Sequence, residues 1–245
     1  MSSDSITLDR FLGGRVVAAQ PAKGFRAGHD SVLLAAAVPA DAHAKMLELG
    51  SGVGVASLCL AARVPSVRIT GIEADPELVR IANENAARNE LAERVRFIAA
   101  DVSEFASRGE EFDHVFFNPP FHPDTGQVSP NAARDRATRD VANAISDWTH
   151  AALQMVRTGG TVTVILRADR QAEIRDAAGE HGGILFPLHP REGEVPKRII
   201  VRMVKDGRLR FKRARGLVLH EAGGKNTDAA EAVLRHAAAL DLAPA

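Results

Sequence analysis

Short apolar runs alternate with segments of helical periodicity through the first half of the chain. Short runs predict strands, and apolar positions that recur about every 3.6 residues predict helices. The predicted order is a helix at 29–38, a strand at 45–49, a helix at 55–63, a strand at 67–72, a helix at 76–89, and strands at 94–99 and 113–117. Strand alternating with helix at these lengths predicts an α/β fold with a doubly wound, mostly parallel sheet and helices on both faces.

The second half continues the alternation after a long interruption. A stretch rich in Pro, Asn, Asp and Arg at 122–140 predicts a loop. The elements after it are a helix at 146–157, a strand at 161–166, a helix at 169–178, strands at 184–188 and 198–204, and a last helix at 227–240. We expect the last strands to pair antiparallel, which completes a sheet of seven strands.

Length and composition favour a single domain, but the net charge does not indicate the binding partner. The chain has 245 residues, 45% of them hydrophobic, which suits a single domain with a short N-terminal extension (1–40) and a basic C-terminal segment (189–245). Its 31 basic and 31 acidic residues cancel, so any site for a polyanion must be local.

Cysteine count and hydropathy indicate the compartment. Cys59 is the single cysteine, which excludes an intramolecular disulfide and suits a reducing compartment. The chain has no signal-like start and no apolar run near the roughly 18 residues that span a bilayer. We therefore expect a cytoplasmic protein with no membrane partner. The histidines lack metal-ligand spacing, so we also expect no metal.

A glycine or polar residue follows each of four successive predicted strands. These residues are Gly50, Glu73, Asp101 and Asn118. Ligands of parallel sheets bind beyond the carboxyl ends of the strands. We expect the four positions to share one ligand site.

Glycines occupy every second position after the strand that contains Glu48, at Gly50, Gly52 and Gly54. A bare backbone there permits a sharp turn and the close approach of a ligand. The dinucleotide fingerprint needs a glycine where Val55 stands, so a nicotinamide cofactor fits poorly. An acidic strand end followed by alternating glycines resembles the S-adenosyl-L-methionine loop of class I methyltransferases, which implies a Rossmann-like fold and that cofactor.

Three further acids are candidates for contact with the cofactor. We expect Glu73 to accept hydrogen bonds from both ribose hydroxyls, Asp101 to accept from the adenine amino group, and Asp30 to lie near the amino acid end. Each acid also has a structural alternative. Glu73 suits the first turn of a helix, and Asp101 and Asp30 suit helix N-caps.

The tetrapeptide Asn118-Pro119-Pro120-Phe121 follows the fourth strand. The nitrogen of an aromatic amine or an amide is a poor nucleophile, because its lone pair is delocalised. A carboxamide oxygen and a backbone carbonyl can accept from its two N–H bonds while an aromatic ring holds the flat group. Asn118, Pro119 and Phe121 suit these roles, although an Asn-Pro pair is also an ordinary turn former.

The tetrapeptide resembles the Asn/Asp-Pro-Pro-Tyr/Phe motif of N-methyltransferases that act on base amines or glutamine amides. The segments Gln20–Leu34, Ser129–Arg134 and 189–221 look similar to the bacterial tRNA(Val) adenine-N6 methyltransferase group. One departure is Phe121-His122, which replaces the Tyr-Phe pair of that group. Asn-Pro-Pro-Phe-His also occurs in ribosomal RNA guanine-N2 methyltransferases.

Two basic stretches are candidates for RNA contact. The candidate residues are Arg134, Arg136, Arg139, Lys197 and Arg198. The first three lie in the predicted loop after the motif, where acidic neighbours make a solvated loop the alternative. The last two belong to the segment 191–215, which holds ten basic and three acidic residues. The alternative for this segment is an edge strand protected from pairing by its lysines and arginines.

Together these features predict an S-adenosyl-L-methionine-dependent methyltransferase acting on the N6 amine of an adenosine in tRNA. Guanine-N2 methylation of ribosomal RNA and methylation of a protein glutamine are alternatives with the same chemistry. A non-catalytic RNA-binding module is an alternative of another class.

Overall fold

An N-terminal hairpin precedes the main sheet. The computed structural model describes residues 6–24, 26–39, 41–119, 144–207 and 210–244. Within these ranges, β1 (Ile6–Phe11) and β2 (Val16–Pro21) pair antiparallel as a separate two-stranded sheet. The sequence pattern did not predict this hairpin.

The main sheet contains nine strands within the described ranges. They are β3 (Lys45–Leu49), β4 (Arg68–Glu73), β5 (Val95–Ala99), β6 (Phe112–Phe117), β7 (Val156–Arg167), β8 (Gly183–His189), β9 (Arg198–Val204), β10 (Lys212–Arg213) and β11 (Leu217–Val218). Their order is β10-β8-β9-β7-β6-β3-β4-β5, and β11 pairs with β8. Neighbouring strands are parallel except that β9 runs antiparallel to β7 and to β8.

All seven predicted strands are present, and the antiparallel pairing of β8 with β9 is confirmed. The sheet is wider than the predicted seven strands because β10 and β11 each add a two-residue pairing along β8. Pairings this short leave no alternation of apolar and polar residues, so the sequence pattern does not reveal them.

Helices cover both faces of the main sheet. They are α1 (His29–Ala37), α2 (Val55–Arg63), α3 (Pro76–Arg88), α4 (Val102–Ala106), α5 (Ala144–Met155), α6 (Gln171–Ala178) and α7 (Asp228–His236). Phe116 of β6 belongs to the core beneath α1, α2, α3 and α7, whereas Phe117 belongs to the core beneath α4, α5 and α6. None of the helices within the described ranges has the length and apolar content to cross a bilayer.

The chain reverses direction across the sheet at β3. It runs from β3 through β4 to β5 on one side and then crosses to β6, which pairs with the other side of β3. The boundary between β3 and β6 is therefore a topological switch point. Ligands bind at such points in open α/β sheets.

Asn85 of α3 and Asn89, the C-cap residue of α3, take the place of a neighbouring strand along the edge of β2 that β1 does not pair. Asn85 Oδ1 accepts from the N–H of Ala19 (2.7 Å), and its Nδ2 donates to the Ala19 carbonyl (3.0 Å). Asn89 makes the same two hydrogen bonds with Val17, each of 2.8 Å. The spacing of Asn85 and Asn89 along the helix matches the spacing of Ala19 and Val17 along the strand, because four residues of helix and two residues of strand both advance about 6 Å.

Asn85 also connects the hairpin to the loop after β3. It is fully buried, and its Nδ2 donates a second hydrogen bond to the carbonyl oxygen of Val53 (3.0 Å). At the end of β2, the side chain of Gln20 bonds to the backbone of Ala27 and to the carboxylate of Asp9. The hairpin is thus held against the carboxyl edge of the sheet.

We expect Asn85→Ala to loosen the hairpin, because the backbone groups of Ala19 and the carbonyl of Val53 lose their partners. The free energy of unfolding should fall by about 2 to 4 kcal/mol, as is typical when buried polar groups are left unpaired. Urea denaturation measures the loss, and faster hydrogen exchange at the Ala19 amide locates it. Asn89→Ala should cost less, since Asn89 does not bond to the loop. Unchanged exchange at Ala19 in Asn85→Ala contradicts the prediction.

Candidate active site

A cavity of about 650 Å³ opens at the carboxyl ends of β3, β4 and β6. Leu49 of β3 pairs with Phe117 of β6 and with Ile72 of β4, so the residues after these strands lie side by side. Seven residues singled out from the sequence line the cavity: Glu48, Gly50, Gly52, Glu73, Asp101, Asn118 and Pro119. Strand register therefore brings the expected ligand residues together.

Two glycines of the loop after β3 stand where a side chain would not fit. Gly50 has a φ of 60°, and an added Cβ would lie 2.5 Å from Cη2 of Trp148. Gly54 has a φ of 86°, and an added Cβ would overlap the ring of Phe97. Gly54 is not part of the cavity lining, so it packs against β5 while Gly50 borders the cavity.

Glu48 is a buried acid with only 5% of its surface exposed. Its Oε2 accepts from the N–H (3.1 Å) and from the hydroxyl (2.5 Å) of Ser57, in the first turn of α2. Burial raises the pKa of Glu48 to about 8, and the hydrogen bonds from Ser57 oppose that shift. Glu48 is therefore mostly protonated at neutral pH without a ligand.

Glu73 and Asp101 hold the backbone around the cavity. Glu73 Oε2 accepts from the N–H of Gly52 (2.9 Å), and Oε1 accepts from the N–H of Asp75 (3.1 Å). Asp101 caps α4, because its Oδ1 accepts from the N–H (2.8 Å) and the hydroxyl (2.5 Å) of Ser103. The hydrogen bonds from Ser103 hold the pKa of Asp101 below its ordinary value. Asp101 is thus a helix cap, and its role toward a cofactor stays a prediction.

Asp30 lies outside the cavity lining, in the first turn of α1. Its Oδ2 accepts from Nε of Arg198 (2.9 Å), which pairs a candidate cofactor residue with a candidate RNA-binding residue. The N-cap of α1 is Gly28 and no side chain caps it, so the alternative of Asp30 as the N-cap is wrong. Its neighbours Ala27 and Ser31 line the cavity instead.

Asn118 directly follows β6, and its Oδ1 is buried without a hydrogen-bond partner in the described part of the chain. Ser51 Oγ, in the glycine loop, is likewise buried without a hydrogen-bond partner among the described residues. Unpaired buried polar atoms are costly, so these two indicate where a ligand would bind. Pro119 lines the cavity, whereas Pro120 and Phe121 lie outside the described residues.

The residues of the basic segment 191–215 are divided between two sides of the sheet: the side where the parallel strands end and the side where they begin. Arg198 is the first residue of β9, and Lys197 directly precedes it. Because β9 is antiparallel to β7, they lie at the edge that carries Asn118. Arg198 is directly opposite Arg167, the last residue of β7.

Later members of this segment lie elsewhere. Lys212 and Arg213 of β10 pair with the start of β8, on the side of the sheet where the parallel strands begin, opposite to Asn118. Arg202 is partly buried and donates to the carbonyl of Ala37 at the end of α1. The segment therefore does not form the one continuous patch that its charge count predicted. The candidate RNA contacts in the loop after the motif lie outside the described residues: Arg134, Arg136 and Arg139.

Sequence reasoning missed two parts of the lining. Trp148 of α5 forms one wall, with its ring edge-on to Phe117 at a centroid distance of 5.8 Å. It is the single tryptophan of the chain, a signal that could have drawn attention to it. The turn after β2 forms another wall, and this depends on the asparagines of α3. The lining residues here are Gln20 and Pro21 at the end of β2, and Lys23 and Gly24 in the turn.

Carboxylates dominate the charge of the cavity. Besides the protonated Glu48, its titratable lining residues are Glu73, Asp75, Glu77, Asp101 and Lys23. Such a lining favours a cation over a phosphate group. Within the described ranges, no three His, Cys, Asp or Glu side chains are grouped as metal ligands would be.

Comparison with known families matches residues 26–174 to the methyltransferase small domain. The chain belongs to this family. A tRNA1(Val) (adenine(37)-N6)-methyltransferase from Yersinia enterocolitica is 32% identical to this chain over 186 residues. The matched residues cover 72% of this chain and 72% of the Yersinia protein. A protein of the same name from Bacteroides fragilis is 26% identical over 183 residues, covering 72% of this chain and 76% of its own.

Solved structures share the fold of the methyltransferase. A protein from Agrobacterium tumefaciens, described as a predicted O-methyltransferase, superposes with a TM-score of 0.72 at 27% identity, over 86% of this chain and 98% of its own. TrmN from Thermus thermophilus superposes with a TM-score of 0.51 at 20% identity, over 72% of this chain and 48% of its own. The expected class I methyltransferase fold is confirmed.

S-adenosyl-L-methionine is the cofactor of the methyltransferase, and the cavity fits it. The acidic lining suits the positive charge of a sulfonium. Ser51 Oγ, in the glycine loop, adds a buried polar atom that lacks a partner within the described residues. The same acidic lining disfavours the pyrophosphate of a nicotinamide cofactor.

We expect the stability of the methyltransferase to depend on pH through Glu48. Its pKa is raised from 4.5 to about 8 by burial, so protonation favours the folded state. This contribution is complete below pH 4.5 and is lost as the pH rises through about 8.

Glu48→Gln keeps an oxygen acceptor for Ser57 without the charge. At about pH 9 its free energy of unfolding should exceed that of the wild type by roughly 2 kcal/mol or more, with a smaller excess at about pH 6. Urea denaturation of both proteins without cofactor measures this difference. An equal dependence on pH in the two proteins argues against the assignment.

Proposed function

We propose that the methyltransferase transfers a methyl group from S-adenosyl-L-methionine to the exocyclic N6 amine of an adenosine in tRNA. The observation that carries the proposal is the buried Oδ1 of Asn118, which has no partner in the described part of the chain. An exocyclic amine offers two N–H donors to such a site. The names of the relatives from Yersinia enterocolitica and Bacteroides fragilis support tRNA adenine as the target. A tRNA substrate also supports a cytoplasmic location.

The residues after β6 can activate an amine without a dedicated base. Asn118 Oδ1 and the carbonyl oxygen of Pro119 accept from the two N–H bonds, which localises the lone pair on nitrogen. By the motif of the family, Phe121 stacks on the base. S-adenosyl-L-methionine supplies, when bound, a methyl group on a positively charged sulfur. The amine becomes acidic once it is methylated and loses its proton to water.

We infer that the glycine loop and two acids hold the cofactor. Gly50 and Gly52 offer a bare backbone at the cavity wall. Glu73, held by the N–H of Gly52, is the acceptor for the ribose hydroxyls. The cap hydrogen bonds of Asp101 fall on Oδ1, so Oδ2 remains as an acceptor for the adenine amino group. Asp30 lies outside the lining and acts on this site only through its neighbours.

Other acceptors would use similar chemistry. Guanine N2 and a glutamine amide also present two N–H donors, and the protein from Agrobacterium tumefaciens is described as a predicted O-methyltransferase. A hydroxyl presents one donor and leaves the second acceptor of the motif unused. Mass spectrometry of tRNA nucleosides from cells with and without this protein separates these cases. Loss of N6-methyladenosine from one tRNA supports the proposal, and an unchanged nucleoside profile opposes it.

We expect Asn118→Ala to lower the rate of methyl transfer to tRNA by at least about 100-fold, because the amine loses an acceptor aligned for the transition state. Affinity for S-adenosylhomocysteine should change little, since the lost oxygen serves the acceptor. Incorporation of labelled methyl groups and calorimetry measure the two quantities. Asn118→Asp keeps an acceptor oxygen and should lose less activity. Full activity in Asn118→Ala would sink the proposal, and RNA binding without any cofactor binding would favour the non-catalytic module.

We also propose that RNA approaches along the edge that carries Asn118. Lys197 is exposed there, and Arg198 adjoins it. β9 lies two strands from β6, a distance of about 10 Å, so these cations are near the base-binding end of β6 but outside the cavity. The acidic cavity repels phosphate, so these cations would bind the backbone outside while the base enters.

Two exposed lysines at opposite edges of the sheet test this path. Lys197→Glu should weaken tRNA binding by roughly tenfold, because a phosphate contact is lost and a repulsion is added. Lys212→Glu makes the same change of charge at the opposite edge and should weaken binding by less than about twofold. Filter binding at fixed salt compares them. An equal loss in both variants would show that RNA does not select the edge with Asn118.

A further inference from the structure

Trp148 touches both halves of the active site, although neither motif includes it. Its indole lies against Gly50, where an added Cβ would come within 2.5 Å of Cη2. The same ring stands edge-on to Phe117, with centroids 5.8 Å apart and an interplanar angle of 69°. Gly50 begins the glycine loop and Phe117 precedes Asn118. One side chain of α5 therefore contacts the cofactor loop and the end of the acceptor strand.

Backbone hydrogen bonds align the two strands only up to the site. Leu49 and Phe117 form the last pair in the register of β3 with β6. Beyond that pair, the N–H of Ser51 holds the glycine loop to the carbonyl of Ile72 in β4 (2.9 Å), and packing on the β6 side adds to this hold. Trp148 supplies packing on that side by contacting Gly50 and Phe117, and its T-shaped contact with Phe117 is a favoured aromatic geometry.

We propose that Trp148 is a positioning residue for methyl transfer, which holds the turn at Gly50 at a fixed distance from the amine-binding end of β6. The proposal rests on the methyltransferase activity and not on which base is the acceptor. The reacting atoms must meet in line at about 3 to 3.5 Å, and a displacement of about 1 Å costs about 100-fold in rate. An indole between the cofactor loop and the acceptor motif sets that distance.

Kinetics of two variants test the role. Trp148→Leu removes the ring but keeps an apolar side chain. We expect kcat to fall by about 10- to 100-fold, while the dissociation constant for S-adenosylhomocysteine changes by less than about threefold. Trp148→Phe retains a ring edge-on to Phe117 and should recover part of kcat.

Phe112→Leu is the matched control for lost stability. Phe112 is buried in the same apolar core as Phe117, but it lies at the other end of β6, away from the cavity. Its substitution should lower Tm, as loss of a buried ring does, and leave kcat within about twofold. If it lowers kcat as much as Trp148→Leu does, the effect is one of stability and the proposal is wrong.

Melting temperatures without cofactor test the contact itself. Gly50→Ala places a Cβ against Trp148, whereas Gly52→Ala places one in open space at a similar positive φ, 53° against 60°. Gly50→Ala should lower Tm more than Gly52→Ala, and the difference should shrink when Trp148 is leucine. A difference that is the same in both backgrounds overturns the contact.

Fluorescence provides a test that does not need the acceptor. The chain contains one tryptophan and no tyrosine, so its emission reports Trp148 alone. The indole is half-buried at the cavity wall, and saturating S-adenosylhomocysteine should shift its emission to shorter wavelength by excluding water. An unchanged spectrum, or a kcat of Trp148→Leu within about twofold of the wild type, would overturn the proposal. If tRNA is not the acceptor, fluorescence and melting still test the contacts of Trp148 with the cavity and with Gly50, and kinetics with the true acceptor then test its role.

Discussion

The parallel pairing of β3 with both β4 and β6 is the constraint on which the active site depends. It brings three strand ends to one edge, so Gly50, Glu73 and Asn118 become neighbours although they are far apart in sequence. The chain crosses from β5 to β6 at this point, and helices on opposite faces leave the edge open as a cavity. The glycine turn and the pair Asn118-Pro119 come to line one cavity only through this arrangement.

Packing around the edge turns an open sheet end into a defined site. Asn85 connects the N-terminal hairpin to α3 and to the glycine loop, and so brings the turn after β2 to the cavity rim. Trp148 closes the side formed by α5 and contacts both Gly50 and Phe117. The site therefore relies on side chains from elements that are not part of either recognised motif.

The cavity and the surface beside it carry opposite charges. Acidic side chains line the cavity, which suits a cationic methyl donor and excludes phosphate. Lys197 and Arg198 lie outside the cavity lining, at the end of the sheet that carries Asn118. Glu48 lies beneath the glycine loop in protonated form, so the cavity without ligand avoids a further buried charge.

The sequence by itself determined the class of fold, the seven strands β3 to β9 of the main sheet, and the glycine turn, and it predicted an amine-binding role for the tetrapeptide that begins at Asn118. These features are local, because hydrophobic period, turn chemistry and adjacent residues decide them. Only the tertiary structure decided the pairing of Asn85 with β2, the place of Trp148, the pairing of Asp30 with Arg198, and the division of the segment 191–215 between two edges. Each depends on which distant segments meet, and strand direction and helix packing settle that without leaving a periodic signal in the chain.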